Sequence, residues 1–287
     1  MANQIWTIGS ILKWTEQYFG TRGIDSPRLD AEVLLSHVLG KERIYLYVHF
    51  DEPLEAPELA AYREYIKQRV ARQPVAYIIG RREFMGLSFR VTPAVLVPQP
   101  DTEILVQAAL DRLAAKPAAR IADIGTGSGA IVLSLLYYRK ELQASAVDIS
   151  ADALAVAAEN AASLGVAERV MFCEGDLLAP LAGQQFAAIV SNPPYIPTAD
   201  IAGLAPEVRT AEPMGALDGG ADGLVFYRRL VADAPALLAS DGFLAMEVGI
   251  HEAAPVAALA QASGAFARTE VLKDLAGIER VVVCWRA

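Results

Sequence analysis

The 287-residue sequence predicts an α/β fold, a doubly wound parallel sheet preceded by a small helical domain. Three observations lead there. From Arg120 onward, short apolar runs alternate with stretches of helical periodicity, which is the signature of parallel strands joined by crossover helices. A glycine-rich turn separates the first of these runs from the helix after it. Before Pro74 the pattern is helical only, with no strand-like alternation.

Residues 1 to about 75 read as several short helices. Ile8, Ile11, Leu12, Tyr18 and Phe19 fall near helical spacing. Ser26-Pro27 opens a second helix, with proline where its missing amide does no harm, and Gly40 closes it. A third runs from Pro57 to Arg72, with Leu59, Tyr62, Ile66 and Val70 on one face. Tyr77 to Val97 mixes β-formers with Gly80, Gly86 and Pro93 and reads as a hairpin-like connector. Beyond it the candidate strands are 121–124, 145–148, 170–173, 186–191, 243–248 and 281–285. The candidate helices are 130–138, 151–164, 224–238 and 252–262. Residues 197–223 lack periodicity and are long enough to be a lid or binding loop.

Composition bounds the function. Hydrophobic residues make up 54% and charged residues 21%, which supports a packed core and excludes a disordered or collagen-like chain. A net charge of −9 argues against a nucleic-acid partner held mainly through its phosphates. Seven basic residues (Arg63, Lys67, Arg69, Arg72, Arg81, Arg82 and Arg90) nevertheless stand against Glu64 and Glu83 in one stretch. This strip is either a solvated face or a docking surface for an acidic or RNA-bearing partner. Cys173 and Cys284, with His37, His49 and His251, show no ligand spacing, so no metal site is expected. Lys13 and Glu16 interrupt any early apolar run, and no stretch approaches the roughly 18 apolar residues of a membrane span. A cytoplasmic protein is expected.

Two motifs carry the chemistry. The first strand ends in Asp123-Ile124-Gly125-Thr126-Gly127-Ser128-Gly129, where glycines permit a sharp turn and close approach of a ligand. Asp148 ends the next strand, 23 positions after Gly125, where a carboxylate can accept both ribose hydroxyls of an adenosine. Gly125, Gly127 and Ala130 also satisfy a dinucleotide fingerprint, so a nicotinamide or flavin enzyme remains open on this motif alone. The second motif, Asn192-Pro193-Pro194-Tyr195, follows a strand directly. Its prolines stiffen the loop and expose carbonyl oxygens, Asn192 offers an amide oxygen, and Tyr195 offers a flat apolar face. That set suits a planar –NH2 group, gripped by two acceptors while a ring stacks on its plane.

Together these motifs resemble the amino-methyltransferases that use S-adenosylmethionine. Residues 73–84, Val97-Pro-Gln-Pro-Asp-Thr-Glu103, Glu212-Pro-Met-Gly-Ala-Leu217 and Lys273-Asp-Leu-Ala-Gly-Ile-Glu-Arg280 resemble the release-factor glutamine methyltransferases, the PrmC/HemK family. The resemblance spans nearly the whole chain. It implies a Rossmann-like class I methyltransferase sheet of seven strands, with 281–285 as an antiparallel strand near the edge. Residues 1–75 would be a substrate-docking domain, 76–98 a β-hairpin connector, and 99–287 the methyltransferase domain. Gly125, Thr126, Gly127, Ser128, Gly129, Asp148, Leu177 and Asn192 would hold S-adenosylmethionine. Asn192, Pro193, Pro194 and Tyr195 would hold the substrate amide, with Asn192, Pro193 and Tyr195 catalytic. The substrate implied is the glutamine of the Gly-Gly-Gln motif in peptide chain release factors, with no membrane and no direct DNA binding. Two positions depart from the family pattern: Leu177 is often aromatic, and Gln99 stands where an arginine is expected. An adenine-N6 DNA methyltransferase shares the Asn-Pro-Pro-Tyr motif, and a nucleic-acid-binding adaptor with a vestigial methyltransferase fold would use the same basic strip.

Overall fold

A computed structural model describes residues 5–287 and divides them into two compact units. The first unit ends at Gly80 and also includes Pro206–Ala211. Its helices are α1 (Ile8–Thr21), α2 (Pro27–Leu39), α3 (Arg43–Val48), α4 (Ala56–Val70) and α5 (Val75–Ile79). The Thr7 and Ser10 side chains cap each other's backbone amides at the start of α1. Pro27 opens α2, and Gly40 ends it in the left-handed conformation that favours glycine. Ile8, Leu12, Phe19, Leu34, Leu35, Leu46 and Tyr62 form its separate core, and the Tyr62 hydroxyl donates to the Ala31 carbonyl at 3.0 Å. Leu29, by contrast, is exposed.

Part of the basic strip is spent inside the first unit. Arg69 is buried, ion-paired through Nε to Asp30 at 2.7 Å and through a terminal nitrogen to Glu207 at 2.9 Å. Arg72 donates to the carbonyls of Gly23 and Arg22. Both were docking candidates by sequence, and both are committed to structure. Arg63 and Lys67 remain exposed, with Lys67 paired to Glu64.

The second unit starts with a hairpin of β1 (Arg81–Phe84) and β2 (Leu87–Arg90), turned through Met85 and Gly86, both at positive φ. Phe84 and Phe89 pack into the core of this unit. Next come α6 (Glu103–Leu113), β3 (Arg120–Ile124), α7 (Ala130–Tyr138), β4 (Gln143–Asp148), α8 (Ala151–Ser163), β5 (Val170–Glu174) and β6 (Phe186–Ser191). The short α9 (Pro206–Ala211) belongs to the first unit. The chain ends with α10 (Val225–Leu237), β7 (Leu238–Glu247), α11 (Ala253–Ser263), β8 (Phe266–Lys273) and β9 (Glu279–Arg286).

The main sheet has the order β5-β4-β3-β6-β7-β9-β8. Its first five strands are parallel, while β9 runs antiparallel between β7 and the edge strand β8. This is the seven-stranded class I methyltransferase sheet, and residues 5–80 contribute no strand to it. Alternate residues point to opposite faces: Ile121, Ala188 and Val190 enter one core, while Ala122, Ile189 and Leu244 enter the other. Strand β8 has no counterpart in the sequence reading, because it is a half-exposed edge strand of mixed polarity. The aperiodic 197–223 stretch contains α9 and two 3-10 turns, and Ile196 bridges to Asp218. Among the described residues, no helix is long and apolar enough to cross a membrane.

Candidate active site

Strand order reverses between β3 and β6, and ligands of open α/β sheets bind at the carboxyl ends of strands beside such a reversal. A cavity of about 370 Å³ lies there. Its walls are the glycine loop from Ile124 to Ser128, Val147–Ser150, Gly175–Leu177, Ser191–Pro194, and residues of the 94–99 and 213–216 segments. Ser191 ties the two central strands at this point by donating its hydroxyl to the Ile124 carbonyl at 2.7 Å.

The glycine loop is shaped by its own backbone. The amides of Gly125 and Thr126 donate to the Val147 carbonyl at 2.9 and 3.0 Å. Gly125 and Gly127 have φ of 72° and 55°, and a Cβ at either would meet no atom within 4 Å. Both glycines face open space that a ligand can enter. Gly129 caps α7 and lies behind the wall, where a Cβ would strike Leu133. Asp148 accepts the Gly127 amide at 2.8 Å and the Ser150 amide at 3.0 Å. A carboxylate has about four acceptor positions, so two are left for a ligand. Asp123 is fully buried beneath the loop and accepts the Thr126 hydroxyl at 2.7 Å. Burial pushes its carboxyl up to about 7, aided by the charge of Asp148.

The other predicted residues divide. Asn192, Pro193 and Pro194 line the cavity, as does Leu177, whose φ of 49° is a strained conformation for leucine. Tyr195 does not. It is half-buried and packed with the apolar core of the α10 and α11 face, and burial, with Glu247 and Glu252 nearby, raises its phenol pKa. The structure therefore gives Tyr195 a supporting position behind the loop. Gly219 packs so closely there that a Cβ would lie 2.7 Å from the Tyr195 backbone. Gln99 lines the cavity and donates to the Val97 carbonyl at 3.0 Å.

Three polar residues at the site were not read from sequence. Thr102 lines the cavity and accepts the Asn192 amide nitrogen at 3.3 Å. Glu247, at the end of β7, is 3% exposed. Glu212 accepts the Val97 amide at 3.3 Å, and burial pushes its carboxyl up to about 7. Of the three, Thr102 and Glu212 had a signal, since each lies in a segment that resembles the family.

Comparisons with known proteins show the family. Residues 10–80 match the family model for the PrmC N-terminal domain, and residues 100–205 match the methyltransferase small domain. The chain is 47% identical over 279 residues to the release factor glutamine methyltransferase of Geobacter sulfurreducens, covering 97% of this chain and 96% of that one. The chain belongs to the release factor glutamine methyltransferase family. The family's enzyme from Moorella thermoacetica is also 47% identical, over 92% of this chain and 93% of its own. A methyltransferase crystal structure from Pyrococcus furiosus shares the fold at a TM-score of 0.53 and 16% identity, covering 76% of this chain and 96% of that one.

The methyl donor of a release factor glutamine methyltransferase is S-adenosylmethionine, and the cavity suits it. The donor is a cationic sulfonium with an adenosine and no pyrophosphate. Among the described residues, no lysine or arginine lines the cavity, whereas Asp148 and Asp176 do. Asp176 is exposed and paired with Arg229 at 2.6 Å, which leaves Asp148 as the unpaired anionic group of the wall. A dinucleotide's two phosphates would find no matching side-chain charge there.

Proposed function

We infer that the chain methylates the side-chain amide nitrogen, N5, of a glutamine in peptide chain release factors, with S-adenosylmethionine as donor. The substrate residue we propose is the glutamine of the Gly-Gly-Gln motif. The observation that carries this reading is family membership over nearly the full chain, joined to an Asn-Pro-Pro loop on the wall of a cavity suited to the donor.

When bound, S-adenosylmethionine supplies an electrophilic methyl group on a positively charged sulfur. In this proposal Gly125, Thr126, Gly127, Ser128 and Asp148 hold the adenosine end, Leu177 adds apolar contact, and Gly129 sets the entry of α7. An amide nitrogen is a weak nucleophile because its lone pair is delocalised into the carbonyl. Asn192 Oδ1 and a carbonyl oxygen of the proline pair accept its two hydrogens, orient it, and favour the pyramidal nitrogen of the transition state. Pro193 and Pro194 keep those acceptors from moving. Methylation leaves the nitrogen strongly acidic, so its proton departs to water without a dedicated base. Tyr195 supports the loop from behind.

Residues 1–75 are proposed as the docking domain, with exposed Arg63 and Lys67 as the contacts that remain available. We place the reaction in the cytoplasm, with neither membrane nor DNA as a partner. The test is incubation with labelled S-adenosylmethionine and purified release factor, followed by identification of the labelled residue. Label on the Gly-Gly-Gln glutamine is expected; label in DNA with none in release factor would overturn the assignment. Asn192→Ala should lower kcat by roughly 10²–10³ while S-adenosylhomocysteine affinity changes much less.

A further inference from the structure

Asn192 can help hold a substrate amide only if its oxygen, not its nitrogen, faces the cavity. A side-chain amide has one end of each kind, and a half-turn about its last torsion exchanges them. Something must choose. The Asn192 nitrogen donates to the Thr102 hydroxyl at 3.3 Å, which engages that end of the amide. Strand pairing brings a further group to the same place. Ser191 of β6 is in register with Met246 of the parallel neighbour β7, and at the strand ends just beyond this pair the Glu247 carboxyl interacts with the Asn192 and Thr102 side chains.

Glu247 is 3% exposed, and its Oε2 has no hydrogen-bond partner among the described residues. An ionised carboxylate is an acceptor only, so it attracts the amide nitrogen of Asn192 and repels the amide oxygen. The Thr102 hydroxyl has one proton; while it accepts from Asn192, it can give that proton to the carboxylate.

We propose that Glu247 and Thr102 are positioning residues that fix the Asn192 amide with its nitrogen inward and its oxygen toward the cavity. This deepens the glutamine-methylation reading and rests on it. The groups around the Glu247 carboxyl pull its charge in both directions. Burial raises the Glu247 pKa to about 7, while Thr102, Arg280 and Asn192 favour its charged form and Asp101 opposes it. Arg280 is itself held by Asp101 at 2.8 Å and Asp274 at 3.0 Å. The amide polarity at Asn192 is therefore a property of three chain segments, and its motif alone does not determine it.

The test uses the full-length protein with release factor as substrate. For Glu247→Leu, kcat should fall on the order of 10- to 100-fold, the loss typical when a partner that orients a reactive group is removed. KM and S-adenosylhomocysteine affinity should move by less than about threefold. Thr102→Val, a smaller change, should act in the same direction, and Glu247→Gln should retain more activity than Glu247→Leu because its amide oxygen can still accept. In an Asn192→Ala background, Glu247→Leu should lower the remaining rate by less than about twofold, since residues acting through one another are not additive. Losses that multiply independently of Asn192, or that weaken cofactor affinity by the same factor, would overturn the proposal. So would a kcat within about twofold of wild type in both Thr102→Val and Glu247→Leu. If Glu247→Leu does not bind S-adenosylhomocysteine, Thr102→Val decides. A wild-type protein that never labels release factor ends the methylation reading itself, whereas labelled wild type with unaffected variants ends only the positioning role.

Discussion

Arg69 tests the internal role that the fold assigns to part of the basic strip. Arg69 is 5% exposed, and its guanidinium spans two carboxylates, Asp30 at 2.7 Å and Glu207 at 2.9 Å, with the Gln73 carbonyl at 3.4 Å. Burial pushes the Asp30 carboxyl above its ordinary value even with Arg69 beside it. Glu207 also feels burial, yet hydrogen bonds from Arg69 help hold its carboxyl below the ordinary range. Arg69→Met keeps most of the volume and strands both carboxylates. Removing one partner of a buried ion pair costs about 3–5 kcal/mol, and the partly buried Arg72, 3.7 Å from Glu207, recovers only a fraction of that. Urea denaturation at pH 7.5 should show the loss. The defect should shrink as pH falls through the carboxylate range, because protonated Asp30 and Glu207 no longer need a cation. Arg69→Met with Asp30→Asn and Glu207→Gln should recover most of it. A variant within about 0.5 kcal/mol of wild type that nonetheless raises KM for release factor would refute this reasoning and return Arg69 to the docking surface.

Other expectations follow from particular contacts. Asp148→Ala should weaken S-adenosylhomocysteine binding by about 1.5–3 kcal/mol by calorimetry, because it loses the ligand's hydrogen bonds and frees the Gly127 amide. Gly219→Ala should displace the Tyr195 backbone and lower kcat about 10²-fold in the label-transfer assay, with overall stability less affected. Glu212 has a folded-state pKa raised to about 7, so the native protein keeps a proton that the unfolded chain releases near pH 4.3. Its stabilising contribution is complete below pH 4.3 and is lost as pH rises to about 7. Glu212→Gln, which stays neutral, should therefore gain on wild type by up to about 3 kcal/mol between pH 5 and pH 8 in paired denaturation curves. Arg63→Glu should raise KM for intact release factor while leaving that for a short Gly-Gly-Gln peptide unchanged.

Much of the sheet was legible because its central strands are short apolar runs between turn residues, and such runs have few other stable uses. The candidate run 186–191 coincides with β6, and 130–138 coincides with α7. Strand β8 was not legible, since Arg268, Thr269, Glu270 and Lys273 interrupt its apolar residues Phe266, Val271 and Leu272, and pairing with β9 makes it a strand. Helix α6 escaped for a different reason: Glu103–Leu113 follows a proline-rich stretch with no side-chain cap to announce its start.

The site divides along the same line. The glycine loop, Asp148 and the Asn-Pro-Pro stretch could be found in the sequence because each acts through local backbone geometry within a few residues. Thr102 and Asn192 lie 90 positions apart, and Arg69 and Glu207 lie 138 apart, so neither pair leaves any periodic or local trace. The sequence by itself determined which backbone segments can turn tightly, which runs are apolar enough to be strands, and which side chains carry usable chemistry. Only the tertiary structure decided who their neighbours are. Burial and proximity, which depend on the whole fold, set the proton on Glu212, packed Tyr195 against the apolar core of the α10 and α11 face, and made Arg69 an internal tie.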